Sequence, residues 1–139
     1  MSEPEKTILL VDDSEQDLTL FQAALSKAGC EGRVATAQSV DAAVEWITSH
    51  AALPPALILV DIQMPLKDGF ELLRWLRARQ EDWHRVPVVM LTTSHDYLEI
   101  RRAYDLGANS FLVKPTGFQE LCDVLNDACR YWLSRNRPG

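Results

Sequence analysis

Three apolar runs in this chain end in charged residues, and this pattern constrains the fold more than any other feature. Residues 8–13 read ILLVDD, residues 56–61 read ALILVD, and residues 110–115 read SFLVKP. Short apolar runs between polar breakers are typical of strands buried on both faces, as in a parallel sheet covered by helices. The carboxyl ends of parallel strands meet at one edge, so distant charged residues converge there. The converging residues are Asp12, Asp13, Asp61 and Lys114.

Helical segments alternate with the predicted strands. Ser14 followed by Asp17 is a capping-box pattern, and Thr116 followed by Gln119 predicts a similar cap for the last helix. A weaker pattern at residues 33–35 predicts a second strand, and VPVVML predicts a fourth. We therefore expect five strands, each followed by a helix.

Parallel strands joined by helices require right-handed crossovers, which place helices on both faces of an open sheet. The expected fold is α/β, a flavodoxin-like (βα)5 three-layer sandwich with strand order 2-1-3-4-5. In that order the topological switch lies between strands 1 and 3, which carry the acids at their ends. The acidic residues thus fall where a ligand is expected.

Length and composition favour one small domain. With 139 residues, of which 47% are hydrophobic, we expect a single domain over 1–139, with a core from about 6 to 133 and no effector domain. The net charge of −6 argues against a nucleic-acid or anionic-membrane partner. No apolar run approaches the roughly 18 residues that span a bilayer, and the N-terminus has no apolar signal region, so we expect a cytoplasmic protein.

The three cysteines show no metal-binding or C-x-x-C spacing. Cys122 and Cys129 lie two turns apart on one predicted helix, about 10.5 Å along its axis, which is too far for a disulfide. We therefore expect buried thiols.

Three clustered carboxylates point to a divalent cation, because like charges a few ångströms apart need neutralisation. Hard oxygen ligands favour Mg²⁺, which Mn²⁺ can replace, and Asp12 and Asp13 are the expected metal holders. Asp61 stands alone at the end of a central strand and is the candidate nucleophile toward a phosphoryl group. Thr92 and Lys114, at the ends of strands four and five, can donate hydrogen bonds to the phosphoryl oxygens.

This constellation, with Pro115 after the lysine and M-P-x-x-D-G after the nucleophile, resembles the receiver domain of two-component response regulators over essentially the whole chain. The resemblance implies that a sensor histidine kinase or phosphotransfer protein phosphorylates Asp61. It implies that Asp13, Asp61 and the main-chain carbonyl of Gln63 bind Mg²⁺. It also implies switching through Thr92 and Phe111, and a cis peptide bond between Lys114 and Pro115.

A closer likeness concerns small stand-alone regulators associated with bacterial phytochrome kinases. The segments VPVVMLTTS and YDLGAN and the late Tyr131-Trp132-Leu133 are similar to that group. This similarity implies a bacteriophytochrome-type kinase as the partner.

Some positions depart from the common receiver pattern or vary within the family. Gln63 and Ser94 occupy positions that influence phosphate lifetime, and Thr93 is bulkier than the Ala or Gly frequent there, so it can narrow access to Asp61. The switch position carries Phe111 and therefore lacks a hydroxyl group.

We also expect a homodimer. The apolar seam of the last helix continues to Trp132, beyond the length that a small sheet needs, and without an effector domain the output must pass through a recognised surface. The expected interface is the face of helix four, strand five and helix five, strengthened by phosphorylation. Its candidate residues are Tyr97, Arg101, Tyr104 and Trp132.

Two other functions fit the sequence less well. A phosphatase with an aspartate nucleophile needs a second acid two residues later, where this chain has Gln63. A receiver-like module that binds partners without phosphorylation is expected to lack one of the acids or the lysine, and none is missing here.

Overall fold

The computed structural model describes residues 6–30, 33–80, 82–93 and 95–136. The strands are β1 (Thr7–Val11), β2 (Arg33–Ala37), β3 (Leu57–Val60), β4 (Val88–Thr92) and β5 (Ser110–Val113). The helices are α1 (Glu15–Lys27), α2 (Val40–Ser49), α3 (Gly69–Arg77), α4 (Tyr97–Asp105) and α5 (Phe118–Cys129). A 3-10 turn at Asp82–Arg85 precedes β4, and a π-helical turn at Arg130–Arg135 follows α5.

All five strands are parallel, in the order β2-β1-β3-β4-β5. This confirms the predicted flavodoxin-like order. Val11 at the end of β1 pairs with Val60 at the end of β3, and Thr92 at the end of β4 pairs with Val113. The residues that follow β1 and β3 therefore leave the sheet side by side at its carboxyl edge.

Each strand of the sheet centre sends alternate side chains to two separate cores. Ile8 and Leu10 of β1 pack with apolar residues of α1 and α5. Leu9 and Val11 pack on the opposite face with residues from α2, α3 and α4. Each fully buried aliphatic side chain contributes roughly 1.5–3 kcal/mol of transfer free energy, so both layers hold the sheet edge in place. The three-layer architecture is as predicted.

Helix caps agree with the sequence at the start of the chain but not near its end. The Ser14 hydroxyl accepts the Asp17 N–H at 3.1 Å, which begins α1 as expected. The predicted cap at Thr116 is wrong. The N-cap of α5 is Gly117, without a side-chain hydrogen bond, because the helix begins at Phe118 and leaves Thr116 one residue outside the cap position.

The prediction that the cysteines are thiols holds for one of them and is wrong for two. Cys30, just after α1, forms a disulfide with Cys129 at the end of α5, and their Cα atoms are 6.2 Å apart. Cys122 is a buried free thiol. The disulfide arises because α1 and α5 pack side by side on one face of the sheet, which brings together residues separated by 99 positions.

Within the described ranges, no helix has both the length and the apolar character required to cross a membrane.

Candidate functional site

Asp12 follows β1 and is held rigidly. Its side chain is 2% exposed. Its N–H donates to the carbonyl of Ala37 at 3.1 Å, and its Oδ1 accepts the N–H of Ser14 at 2.9 Å. The second carboxylate oxygen, Oδ2, remains available for the functional site.

Asp61 follows β3 at the topological switch and is partly accessible, with 12% of its side chain exposed. Its N–H donates to the Val11 carbonyl at 3.0 Å, and its Oδ1 accepts a long hydrogen bond of 3.3 Å from the Gln63 N–H. The first residue of α3 packs closely behind it: a Cβ on Gly69 would lie 2.5 Å from the Asp61 carbonyl oxygen. Glycine therefore allows α3 to approach the loop that carries Asp61.

The three aspartates predicted to converge do so. Asp12, Asp13 and Asp61 each offer a carboxylate oxygen, and these oxygens lie within 4.8 Å of one another. Asp12 is buried, Asp61 is half-buried, and Asp13 is exposed. An all-carboxylate donor set open on one side suits a hard divalent cation such as Mg²⁺ or Mn²⁺ that keeps several of its waters. The residues thus fit the predicted metal.

Lys114 lies between the acids. Its Nζ donates to Asp12 Oδ2 at 2.8 Å, to Asp17 Oδ2 at 3.1 Å and to Asp61 Oδ2 at 3.3 Å. Burial alone would lower the pKa of Lys114, but hydrogen bonding with Asp12 and Asp17 and the charges of Asp61 and Asp12 outweigh burial and raise the pKa. The lysine is therefore a fixed cation beside the Asp61 carboxylate.

Sequence reasoning missed Asp17 as a residue of this site. Its place three residues after Ser14 already has a local explanation as a capping position, and that explanation conceals the second role of its side chain. Helical geometry offers one signal, since a side chain in the first turn of α1 can reach back over the end of β1.

Thr92 ends β4 and is 1% exposed. Its main-chain carbonyl accepts the Lys114 N–H at 2.7 Å, which joins the ends of β4 and β5. Its hydroxyl is buried and has no hydrogen-bond partner among the described residues. Buried polar atoms are rarely left unpaired, so this hydroxyl is suited to a group that binds at the site.

Phe111 on β5 is half-buried and packs against the core on the α2–α4 side. Its N–H donates to the hydroxyl of Tyr104 at 3.2 Å, so this α4 side chain is tied to the strand. Tyr104 remains 49% exposed, and Tyr97 on the same helix is 68% exposed. The predicted switch residue Phe111 thus contacts Tyr104, one of the predicted interface residues.

A groove of about 430 Å³ lies between β5 and α5. Trp132 lines it and is half-buried, in a T-shaped contact with Tyr131 at 4.7 Å between ring centroids. Tyr131 is 52% exposed. Aromatic rings with an exposed face are typical of contact surfaces.

The predicted cis peptide bond at Lys114–Pro115 is wrong, because the described residues contain no cis peptide bond. The trans form is intrinsically favoured by about 0.5–1 kcal/mol, and the lysine reaches its three carboxylates from it. Thr93 is exposed beside the site. Ser94, predicted to influence phosphate lifetime, lies outside the described residues.

Comparisons with known proteins agree with this arrangement. A family model described as the response regulator receiver domain matches residues 8–126. The probable methanogenesis regulatory protein FilR2 of Methanothrix harundinacea is 35% identical over 136 residues, which cover 95% of this chain and 87% of FilR2. The response regulator Rcp1 of Synechocystis sp. is 32% identical over 136 residues, covering 95% of this chain and 92% of Rcp1.

Solved structures show the same relationship. The phosphorylated cyanobacterial phytochrome response regulator RcpA superposes with a TM-score of 0.87 at 30% identity, covering 97% of this chain and 99% of RcpA. The Mn(2+)-bound form of Rcp1 has a TM-score of 0.83 at 31% identity, covering 96% of this chain and 99% of Rcp1. These similarities confirm the fold and the resemblance to phytochrome-associated regulators.

Proposed function

This chain belongs to the family of response regulator receiver domains, and we propose that Asp61 is its phosphoacceptor in a Mg²⁺-dependent phosphorelay. The observation that carries the proposal is the position of the Asp61 carboxylate. It lies within reach of two further carboxylates and receives a hydrogen bond from Lys114 at 3.3 Å. The proposed nucleophile, the Lys114 ammonium and the carboxylates proposed to bind the metal thus lie close together at one edge of the sheet.

The reaction needs little beyond this arrangement. A carboxylate oxygen of Asp61 attacks the phosphorus of a phosphohistidine on a sensor histidine kinase or phosphotransfer protein. The new O–P bond forms as the N–P bond breaks, and the histidine leaves with its electron pair. Lys114 and the Thr92 hydroxyl donate hydrogen bonds to the phosphoryl oxygens, which stabilises their charge.

The acids of the site would hold the cation. Asp12, Asp13 and Asp61, with the main-chain carbonyl of Gln63, would bind Mg²⁺, or Mn²⁺ in its place. The bound metal supplies positive charge that offsets the repulsion between the carboxylates and the incoming phosphoryl group. The similarity to the Mn(2+)-bound form of Rcp1 supports a divalent cation at this position.

Loss of the phosphoryl group completes the cycle, since receiver domains are signalling proteins with autodephosphorylation activity. We place control of its rate at Gln63, Thr93 and Ser94, which flank Asp61 and Thr92 in the sequence. A dedicated phosphatase is less well supported, because Gln63 cannot serve as the general acid. The complete set of acids and lysine also favours phosphorylation over binding alone.

The relatives support a proposal for the partner of this chain. RcpA is described as a phytochrome response regulator, and this supports a bacteriophytochrome-type kinase as the phosphoryl donor for the present chain. We propose that the chain receives the phosphoryl group in the cytoplasm. Incubating the chain with each purified sensor kinase of its organism and labelled ATP identifies the donor as the kinase that transfers label fastest.

Phosphorylation would pass the signal on by altering one surface of the protein. A phosphoryl group that draws Thr92 inward would leave room for Phe111 to turn inward, and this alters the face made by α4, β5 and α5. Phe111 donates its N–H to Tyr104, so a movement of β5 is passed to α4. We propose that this face mediates a homodimer whose stability depends on phosphorylation.

Beryllofluoride, a phosphate mimic, tests the function. In Mg²⁺ it is expected to bind and shift the amide resonances at the ends of β3 and β4 and along α4, β5 and α5, with no shift when EDTA is present. A binding-only module would show no shifts in either condition. A phosphatase would instead release phosphate steadily from p-nitrophenyl phosphate, which a receiver does not do.

A further inference from the structure

The ammonium of Lys114 is shared among three carboxylates. It has three N–H donors, and its contacts are with Asp12, Asp17 and Asp61 at 2.8, 3.1 and 3.3 Å. Two of these acids, Asp12 and Asp61, also belong to the group that can hold a metal ion. Asp17 does not belong to that group. The Lys114 ammonium and a divalent cation would therefore compete for the carboxylates of Asp12 and Asp61.

We infer that Asp17 is a positioning residue that keeps the Lys114 ammonium at the site when metal and phosphoryl groups engage Asp12 and Asp61. The inference rests on the proposed function, because it concerns the same site. The Asp17 carboxylate gives the ammonium a partner outside the metal group. The lysine can then release Asp12 and Asp61 without leaving the neighbourhood of the nucleophile.

The local structure suits Asp17 for this role. Its main chain is fixed by the cap, since its N–H donates to the Ser14 hydroxyl at 3.1 Å. Its side chain is 41% exposed and remains free to follow the lysine. The Lys114 side chain is only 10% exposed. Its ammonium lies 5.2 Å from the centre of the Phe21 ring, so this ring limits the movement of the ammonium on one side.

The removal of Asp17 has a defined consequence. Without it, the ammonium is attracted only by Asp12 and Asp61 and opposes the entry of Mg²⁺ by charge repulsion and by occupying ligand oxygens. Asp17→Asn should therefore weaken Mg²⁺ binding. For a partly exposed ion pair the expected loss is up to about fivefold in affinity.

A double-mutant cycle tests this with Mg²⁺ alone. Calorimetry gives the Mg²⁺ affinity of wild type, Asp17→Asn, Lys114→Met and the double variant. We expect Lys114→Met to bind Mg²⁺ more tightly than wild type. In the Lys114→Met background, Asp17→Asn should lower the Mg²⁺ affinity no more than the control variant Glu15→Gln does. Glu15→Gln removes one charge from an exposed residue in the same turn of α1.

A second measurement reports on the lysine itself. In saturating Mg²⁺, Asp17→Asn should bind beryllofluoride more weakly than wild type, because the donor that faces the phosphoryl oxygens is less well placed, whereas Glu15→Gln should match wild type. Equal losses of Mg²⁺ affinity in the wild-type and Lys114→Met backgrounds would overturn the inference. Tighter beryllofluoride binding by Asp17→Asn would overturn it too, since Asp17 would then compete with phosphate for the lysine. A wild-type protein that binds neither Mg²⁺ nor beryllofluoride would overturn the proposed function together with this inference.

Discussion

Thr92 is the site residue with a buried side-chain atom that has no hydrogen-bond partner among the described residues. The residue is 1% exposed, so the hydroxyl lies away from solvent in the described part of the chain. An unpaired buried hydroxyl costs about 1–3 kcal/mol. A phosphoryl group on Asp61 would accept this hydrogen bond, so the proposed switch would draw part of its free energy from pairing this hydroxyl.

Thr92→Val tests this directly, because valine keeps the shape and removes the hydroxyl. We expect the free energy of unfolding without ligand to rise by about 1 kcal/mol, and the stabilisation by beryllofluoride and Mg²⁺ to shrink. Urea unfolding with and without the mimic measures both. Thr19→Val, on the exposed face of α1, is the control and should change neither quantity by more than about 0.5 kcal/mol. A destabilised variant that keeps the full response to beryllofluoride would contradict the role given to the hydroxyl.

At the scale of elements, the start of α3 packs closely against the loop that carries Asp61, the proposed nucleophile. A Cβ at Gly69 would lie 2.5 Å from the carbonyl oxygen of Asp61 and 3.0 Å from the Cα of Ile62, both of them backbone atoms. Backbone atoms cannot yield as a flexible side chain can. Any larger residue must therefore displace α3 or the Asp61 loop.

Gly69→Ala should lower the free energy of unfolding by about 1–3 kcal/mol, the usual cost of overpacking, and should weaken Mg²⁺ binding because Asp61 moves. Thermal unfolding and calorimetry measure the two effects. Gly117→Ala is the control, since a Cβ there meets no atom within 4 Å and the φ of −91° is ordinary. It should lose only the roughly 0.5–1 kcal/mol by which alanine is a poorer N-cap than glycine, and it should leave Mg²⁺ binding unchanged. If both variants behave alike, the close approach at Gly69 does not constrain the site.

The disulfide between Cys30 and Cys129 joins the ends of α1 and α5 across 99 residues. Closing a loop of this length stabilises a protein by about 4.7 kcal/mol in the chain-entropy model. We expect dithiothreitol to lower the melting temperature of the wild type and to leave that of Cys30→Ser unchanged. Alkylation of unfolded, unreduced protein should modify Cys122 alone. Modification of all three cysteines would show that the disulfide is absent under those conditions. A reducing compartment would favour that outcome.

The site at the strand ends could be predicted because buried parallel strands are continuous apolar runs. Their order alone brings Asp12, Asp61 and Lys114 together, and the structure places the lysine within hydrogen-bonding distance of both acids. The strand order and both helical layers were predictable for the same reason. These features follow from local apolar patterns and from the alternation of strands and helices along the chain, and both can be read from the sequence.

Features that depend on the packing of one helix against another were not predictable in this way. The Cys30–Cys129 bond depends on how α1 lies beside α5, and no local pattern reports that distance. Asp17 has a sufficient local role at the cap, and its place in the first turn of α1 is only a weak signal of its contact with Lys114. The Thr116 cap failed because a shift of one residue in the start of a helix is beyond what a capping pattern resolves.

At the scale of the whole molecule, the chain has one face that combines exposed aromatic residues with a proposed switch. Tyr97 and Tyr104 on α4 and Tyr131 after α5 are about half to two-thirds exposed, and Tyr131 lines the groove between β5 and α5. A homodimer through this face would bury these rings. The face also carries the edge of β5, which has no strand beyond it in the described sheet.

We expect beryllofluoride with Mg²⁺ to strengthen a homodimer at micromolar concentration, and Trp132→Ala to weaken it. Analytical sedimentation with and without the mimic measures the association. Trp46→Ala is the control, because Trp46 lies on α2, on the other side of the sheet, where it stacks on His50. A protein that remains monomeric in both conditions, or a dimer unaffected by Trp132→Ala, would rule out this interface.

The central claim is that Asp61 alone accepts the phosphoryl group, and intact-mass measurement after incubation with acetyl phosphate and Mg²⁺ tests it most directly. Wild type should gain the mass of a single phosphoryl group, and the gain should disappear with EDTA. Asp61→Asn should gain none, whereas Asp68→Asn, at the N-cap of α3 and outside the acidic cluster, should label like wild type. Equal labelling of Asp61→Asn and wild type would contradict the assignment of Asp61.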